Sequence, residues 1–193
     1  MRAKTLYIIA GCNGAGKTSA SISILPQILD CKEFVNADEI AKGLSPFNPE
    51  SVAIEAGRLM LQRINVLLEG GNSFSIETTL STKSYKSLIE RAKDKGFYIQ
   101  LLFFWLPSPE YAEKRVAQRV REGGHNIPTD VIHRRYWAGI KNLFEIYIPI
   151  VDSWMLIKNT KSREIIAKRD EVTDLIFNEK LYNKIKNYES RTK

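Results

Sequence analysis

The sequence predicts a three-layer α/β fold, a parallel sheet with helices on both faces, and three observations predict it. Short apolar or β-branched runs alternate with longer segments of helical periodicity along the 193 residues. The first such run, Thr5 to Ala10, leads into a glycine-rich turn and then a helical segment. The most apolar run, Tyr98 to Leu106 (YIQLLFFWL), is almost continuous in hydrophobicity, as a central strand buried on both faces must be.

The glycine-rich turn, Gly11-Cys12-Asn13-Gly14-Ala15-Gly16-Lys17-Thr18, fits G-x-x-x-x-G-K-[ST] at every position. At ordinary glycine usage a chance match in a chain of this size arises about one time in a hundred. The glycines let successive N–H groups point inward around phosphate oxygens, and the following helix adds positive potential at its N-terminus. Lys17 is then expected to reach the β- and γ-phosphates and the Thr18 hydroxyl to enter a Mg²⁺ shell, with Ser19 completing the nucleotide-binding stretch from Gly11. The glycine order differs from G-x-G-x-x-G, which disfavours a dinucleotide fold. A lipid-attachment signal ending at Cys12 is disfavoured too, because Leu6 to Ala10 is shorter than the apolar core such a signal needs.

After the first helix, expected to end near Pro26, Glu33 to Ala37 reads as a short strand, and Asp38 opens a short helix. Asp38 fits two readings, a helix N-cap or a carboxylate on the same rim as the phosphate loop. A long helix is expected from Asn48-Pro49-Glu50 to Gly70-Gly71, with Val52, Ala56, Leu59, Met60, Ile64, Leu67 and Leu68 as its core stripe. Ser73 to Thr79 reads as a strand carrying Glu77 near its end, where a carboxylate must be paired, coordinated or exposed. Helix Lys83 to Lys95 precedes the central strand. Ser108-Pro109-Glu110 then supplies an N-cap, a first-turn proline and a first-turn acid for a helix running to about Glu122, with Ala112, Val116 and Val120 inward.

Gly123-Gly124 breaks that helix, and Thr129 to about Phe144 forms the next. Arg115, Arg119, Arg121, Arg134 and Arg135 fall within 21 residues, a concentration suited to bidentate phosphate binding. Two helices hinged by Gly-Gly and carrying these arginines, about 108–144, are what a lid requires; a solvated helical hairpin is the plainer alternative. His125 and His133 read as lid or surface residues rather than metal ligands, since no cysteine or carboxylate cluster accompanies them. Ser153 to Lys158 and Glu164 to Ala167 read as a terminal strand and a hairpin partner, and Val172 to Tyr188 as a helical tail.

One domain, 1–193, is the default for this length. The net charge of +7 calls for an anionic partner without choosing among nucleotides, nucleotide sugars, nucleic acid and acidic proteins. Two cysteines make neither a metal cluster nor a disulfide framework, and no apolar run approaches bilayer length, so a soluble cytoplasmic protein is expected.

The elements GCNGAGKT, NADEIAKGLSP with Asp38 twenty-one positions after Lys17, SIETT, and RVAQRVREGGHNIPTDVIHRRY, in that order, resemble the zeta toxin family of P-loop kinases over about residues 6–152. That resemblance implies a P-loop kinase-like fold and phosphoryl transfer from ATP, rather than GTP, with Mg²⁺, to a hydroxyl of a nucleotide-activated sugar of the UDP-N-acetylglucosamine kind. It implies Asp38 as catalytic base, Glu77 with Thr79 as the substrate-contacting pair, and Arg121 and Arg134 as the lid arginines that stabilise the transferring phosphoryl, with Arg119 as an additional substrate contact. It also implies an antitoxin protein as the partner to look for; separately, a monomer is expected. Two other functions fit the phosphate loop. A P-loop kinase acting on a polynucleotide end or another metabolite would share the fold, but polynucleotide binding calls for a basic groove with aromatic platforms, whereas these arginines gather at the lid. A binding or motor ATPase would carry a hydrophobic strand ending in Asp-Glu and an LSGGQ-like signature, neither of which is read here, and the chain is short for a motor domain.

Overall fold

The computed structural model describes residues 4–24, 31–124, 126–170 and 172–187, with the side chains of residues 23 and 24 excluded. The expected helix end near Pro26, His125 in the Gly-Gly link and Tyr188 at the tail's end lie outside the described residues.

Seven strands form one sheet in the order β2-β3-β1-β4-β5-β6-β7. They are β1 (Thr5–Ala10), β2 (Phe34–Val35), β3 (Phe74–Thr78), β4 (Tyr98–Trp105), β5 (Ser153–Asn159), β6 (Arg163–Asp170) and β7 (Thr173–Ile176). The first five are parallel, while β6 and β7 extend the sheet as antiparallel hairpins. β1 and β4 are buried along nearly their whole lengths, because helices cover both faces at the centre. The chain leaves β1 for β2 on one side, whereas β4 pairs on the other, so the carboxyl end of β1 is the crevice where ligands of open α/β sheets bind.

The helices are α1 (Lys17–Ile24), α2 (Ala37–Leu44), α3 (Ala53–Glu69), α4 (Tyr85–Asp94), α5 (Pro109–Arg121), α6 (Thr129–Asn142) and α7 (Glu179–Lys186). Two sequence expectations need correction, and one open alternative is decided. The long helix begins with a 3₁₀ turn at Pro49–Val52 before α3, and Leu59 lies on the exposed side of the stripe whose buried members are Ala56, Met60, Ile64, Leu67 and Leu68. The tail is not uniformly helical, since residues 173–176 pair with β6. The cap of α2 is Asn36, whose side chain accepts the Asp38 N–H, so Asp38 sits within the first turn rather than capping it. The cap of α5, by contrast, is Ser108 as expected, with Pro109 in the first turn.

After α6 the chain makes one π turn, Leu143–Tyr147. It faces the loop that follows β3, where Leu80 has a left-handed φ of 55°, costly for a side chain of that shape. Two long-range bonds hold that loop: Asn142 Nδ2 donates to the Leu80 carbonyl (2.7 Å) and the Tyr147 hydroxyl to the Thr82 carbonyl (2.6 Å).

Candidate active site

The phosphate loop leaves β1 at Gly11, whose φ is 140° and whose Cβ, had it one, would lie 2.3 Å from the Phe104 carbonyl oxygen of β4. Only glycine lets the loop pass this close to the central strand. The Ala15 N–H closes the turn onto the Cys12 carbonyl (3.1 Å). At the loop's far end, Asn159 Nδ2 donates to the Ala15 carbonyl (2.6 Å), while Arg115 donates to the Asn159 carbonyl (2.7 Å). A Cβ at Gly16 would meet that same Asn159 amide at 2.8 Å. The loop is therefore clamped between β4, the end of β5 and α5.

Lys17 is buried, and its ammonium donates to the Cys12 carbonyl (3.1 Å) and pairs with Glu77 Oε1 at 3.6 Å. Glu77 Oε2 accepts from two donors, the Thr18 hydroxyl (2.8 Å) and Asn36 Nδ2 (3.0 Å). The strand register explains the convergence: Ile9 lies beside Glu77 across β1 and β3, and Val35 beside Ile76 across β2 and β3. The carboxylate is thus compensated, as burial requires. Burial pushes the Cys12 thiol up to about 11 against the opposing effect of Lys17, so it is an un-ionised packing residue near neutral pH.

A cavity of about 350 Å³ opens over the loop. Asn13, Gly14, Gly16, Lys17, Thr18 and Ser19 form its floor, Asp38, Glu39 and Lys42 of α2 and Glu77 of β3 one side, and Arg115, Gln118, Arg119, Glu122 and Gly124 the other. Asp38 and Lys17 therefore share one rim. Among the other residues singled out from sequence, Gly11, Cys12 and Ala15 underlie the loop rather than line the cavity. Thr79 is off the wall, its hydroxyl paired with Ser81 (2.8 Å).

The arginines divide differently from the expectation. Arg121 and Arg134, matched by resemblance, are exposed and do not line the cavity in this conformation. The reason is helical spacing: Arg115, Gln118, Arg119 and Glu122 recur at i, i+3, i+4 and i+7 and so share the inward face, from which Arg121 is turned away. On α6, Arg135 rather than Arg134 reaches the loop, its guanidinium donating to Asn13 Oδ1 at 3.4 Å. The two helices are joined through Glu113 of α5, which accepts from the Thr129 hydroxyl (3.3 Å) and lies 3.5 Å from His133 Nε2.

Three residues at the site escaped the sequence reading. Asn36 and Asn159 look like loop residues until the sheet brings them to Glu77 and Ala15. Tyr85, at the start of α4, is half-buried beside Thr78 and near Asp38, and burial, reinforced by the Asp38 charge, raises its phenol above the ordinary value. Only the asparagine after a two-residue strand, in a cap position, gave any signal.

Among the described residues no group of three or more His, Cys, Asp or Glu could hold a metal. The oxygen donors beside the lysine are instead the Thr18 hydroxyl and the Glu77 carboxylate. A hard-oxygen set this sparse suits Mg²⁺, which takes one or two protein oxygens and completes its shell with water and phosphate.

A phosphate loop at the carboxyl end of β1, a lysine within it, and an arginine-bearing helical pair above it define a P-loop kinase fold. The chain belongs to the zeta toxin family, whose family model matches residues 1–171. It is 29% identical over 136 residues to an uncharacterized protein of Haemophilus influenzae, covering 70% of this chain and 94% of that one. The AvrRxo1-ORF1:ORF2 complex crystallised with ATP contains a chain that superposes with a TM-score of 0.79 at 21% identity, over 95% of this chain but only 64% of that one. The PezAT chromosomal toxin-antitoxin system of Streptococcus pneumoniae gives 0.71 at 18% identity, over 96% and 79%. These structural likenesses concern the fold.

Proposed function

We propose that this protein transfers the γ-phosphoryl group of ATP to a hydroxyl of a small anionic acceptor, with a nucleotide-activated sugar such as UDP-N-acetylglucosamine as the leading candidate. The observation that carries the reading is the shared rim: Asp38, Lys17, Thr18 and Glu77 border one cavity. In the reaction the acceptor oxygen bonds to the γ-phosphorus as the bond to the ADP oxygen breaks, and Asp38 takes the hydroxyl proton. Phosphoryl transfer asks chiefly for positioning and charge neutralisation. Lys17 exchanges its pairing with Glu77 for the β- and γ-phosphates, and the loop N–H groups hold the remaining oxygens. Mg²⁺, held by Thr18 with Glu77 beside it, would neutralise phosphate charge when bound with the nucleotide.

Arg115 and Arg119 border the cavity already, and we assign them to nucleotide binding. Arg121 and Arg134 are assigned to a closed state in which the α5–α6 pair swings over the phosphates, as lid arginines do in phosphoryl-transfer enzymes. We assign Tyr85, whose phenol feels the Asp38 charge, and Thr79 to the acceptor. The complexes named for AvrRxo1 and PezAT motivate an antitoxin as a candidate partner. No helix among the described residues is long and apolar enough to cross a membrane, and both cysteines are free thiols, which supports action in the cytoplasm.

The test is phosphate transfer from γ-labelled ATP to a panel of nucleotide sugars, other metabolite alcohols and DNA or RNA 5′ ends. Label on a nucleotide sugar, lost in Asp38→Asn, supports the reading. Label confined to polynucleotide ends, or ATP hydrolysis stimulated only by a protein partner, overturns it.

A further inference from the structure

We infer that Asn36 is a positioning residue that sets the distance between the phosphate loop and the catalytic rim. This rests on the proposed reading in taking Thr18 and Glu77 as the magnesium side of the site and Asp38 as the base. Asn36 follows β2 directly and is only 6% exposed, and both ends of its amide are used. Its Oδ1 accepts the Asp38 N–H at 2.8 Å, fixing the first turn of α2 and with it the backbone that carries Asp38. Its Nδ2 donates to Glu77 Oε2 at 3.0 Å, the oxygen that also takes the Thr18 proton at 2.8 Å. One side chain thus joins α2 to β3 and, through Glu77, to the first turn of α1.

The two bonds have different chemical requirements. An N-cap needs only an acceptor oxygen, which Ser, Thr or Asp supplies equally well. The bond to Glu77 needs a donor, so of the good capping residues with this reach only asparagine satisfies both. With Glu77 held by Asn36, the Thr18 hydroxyl spends its proton on the carboxylate and keeps its lone pairs for a cation. Ordering a metal-binding oxygen through an outer partner of this sort is worth about 10- to 100-fold in metal affinity or activity.

The experiment is calorimetric titration of ATP, with Mg²⁺ and in EDTA, into the parent, Asn36→Ser and Asn36→Thr, beside thermal denaturation of each. Both variants keep the cap, so their melting temperatures are expected within about 4 °C of the parent, the equivalent of one lost hydrogen bond. The gain in ATP affinity conferred by Mg²⁺ is expected to shrink about tenfold or more in both, while Asn36→Ser binds ATP in EDTA as the parent does. A Mg²⁺-dependent gain equal to the parent's in the two variants would overturn the inference and leave Asn36 as a cap alone. A parent whose ATP affinity does not respond to Mg²⁺ would overturn it as well. A parent that binds Mg²⁺-ATP but phosphorylates no alcohol would instead sink the proposed activity, with the Asn36 comparison still decided by binding.

Discussion

Replacing Glu77 by Gln removes the only carboxylate facing the Lys17 ammonium among the described ion pairs, while leaving a side chain of the same size. Both side chains of the pair are less than a tenth exposed, so solvent cannot take over from the lost charge. Removing one partner of a buried pair costs about 3–5 kcal/mol. The low end, about 3, applies here because Lys17 keeps the Cys12 carbonyl. For a chain of this size that corresponds to a fall of about 6–12 °C in melting temperature. ATP in EDTA supplies Lys17 with phosphate charge, so the gap between variant and parent narrows on adding it. Lys17→Met costs less than Glu77→Gln, since Glu77 keeps two hydrogen-bond donors, and the double variant is no less stable than Glu77→Gln alone. Differential scanning fluorimetry with and without nucleotide reads all of this. Equal melting temperatures for Glu77→Gln and the parent would refute the reasoning, because Lys17 would then need no counter-charge.

Asp38→Asn is expected to abolish transfer while ATP affinity stays within about twofold, since in the proposed reaction it acts on the acceptor hydroxyl and not on the nucleotide; single-turnover assays with equilibrium binding check this. Arg119→Ala weakens ATP binding itself by about 10- to 100-fold, the value of a hydrogen bond to a charged group, whereas Arg134→Ala leaves ATP binding intact and lowers kcat by about 10³, which stopped-flow binding and turnover separate. Asn159→Ala, by removing the buried donor to the Ala15 carbonyl, destabilises the fold by about 2 kcal/mol and lowers the melting temperature by about 4–8 °C. The Cys12 thiol is raised from 9.0 to about 11 in the folded state, so its contribution to stability is complete below pH 9 and is lost as pH rises toward 11; Cys12→Ala lacks that alkaline component in urea denaturation at stepped pH.

What could be read from the sequence follows from how local each signal is. The phosphate loop is legible because its chemistry depends on backbone freedom at fixed spacing, and β4 because two covered faces demand continuous apolarity. β7 is not legible: Thr173-Asp174-Leu175-Ile176 is short and exposed throughout, and only its pairing with β6 makes it a strand. The inward face of α5 was within reach, since Arg115 and Arg119 are four apart, yet motif spacing alone pointed to Arg121, which in this conformation helical geometry turns outward. Asn36 and Asn159 show the limit from the other side. Their partners, Glu77 and Ala15, are 41 and 144 residues away in sequence, and nothing local distinguishes an asparagine that bridges elements from one that merely turns the chain.

The strained Leu80 has a consequence for how this protein can vary. Its left-handed backbone costs about 1–2 kcal/mol, offset by bonds from Asn142 and Tyr147, which join the chain 62 and 65 residues later. The route from Glu77 to Thr79 and Ser81 is therefore held from the end of α6 and the π turn as well as by its own bond from the Leu80 N–H to the Thr78 hydroxyl (3.0 Å). On the proposed reading, substitutions at the end of α6 and in the π turn, far along the chain from the glycines, are where a change of acceptor preference would be inherited without touching the nucleotide side. A survey of variants selected on new acceptors should find changes at Asn142 and Tyr147 as often as in the loop they shape.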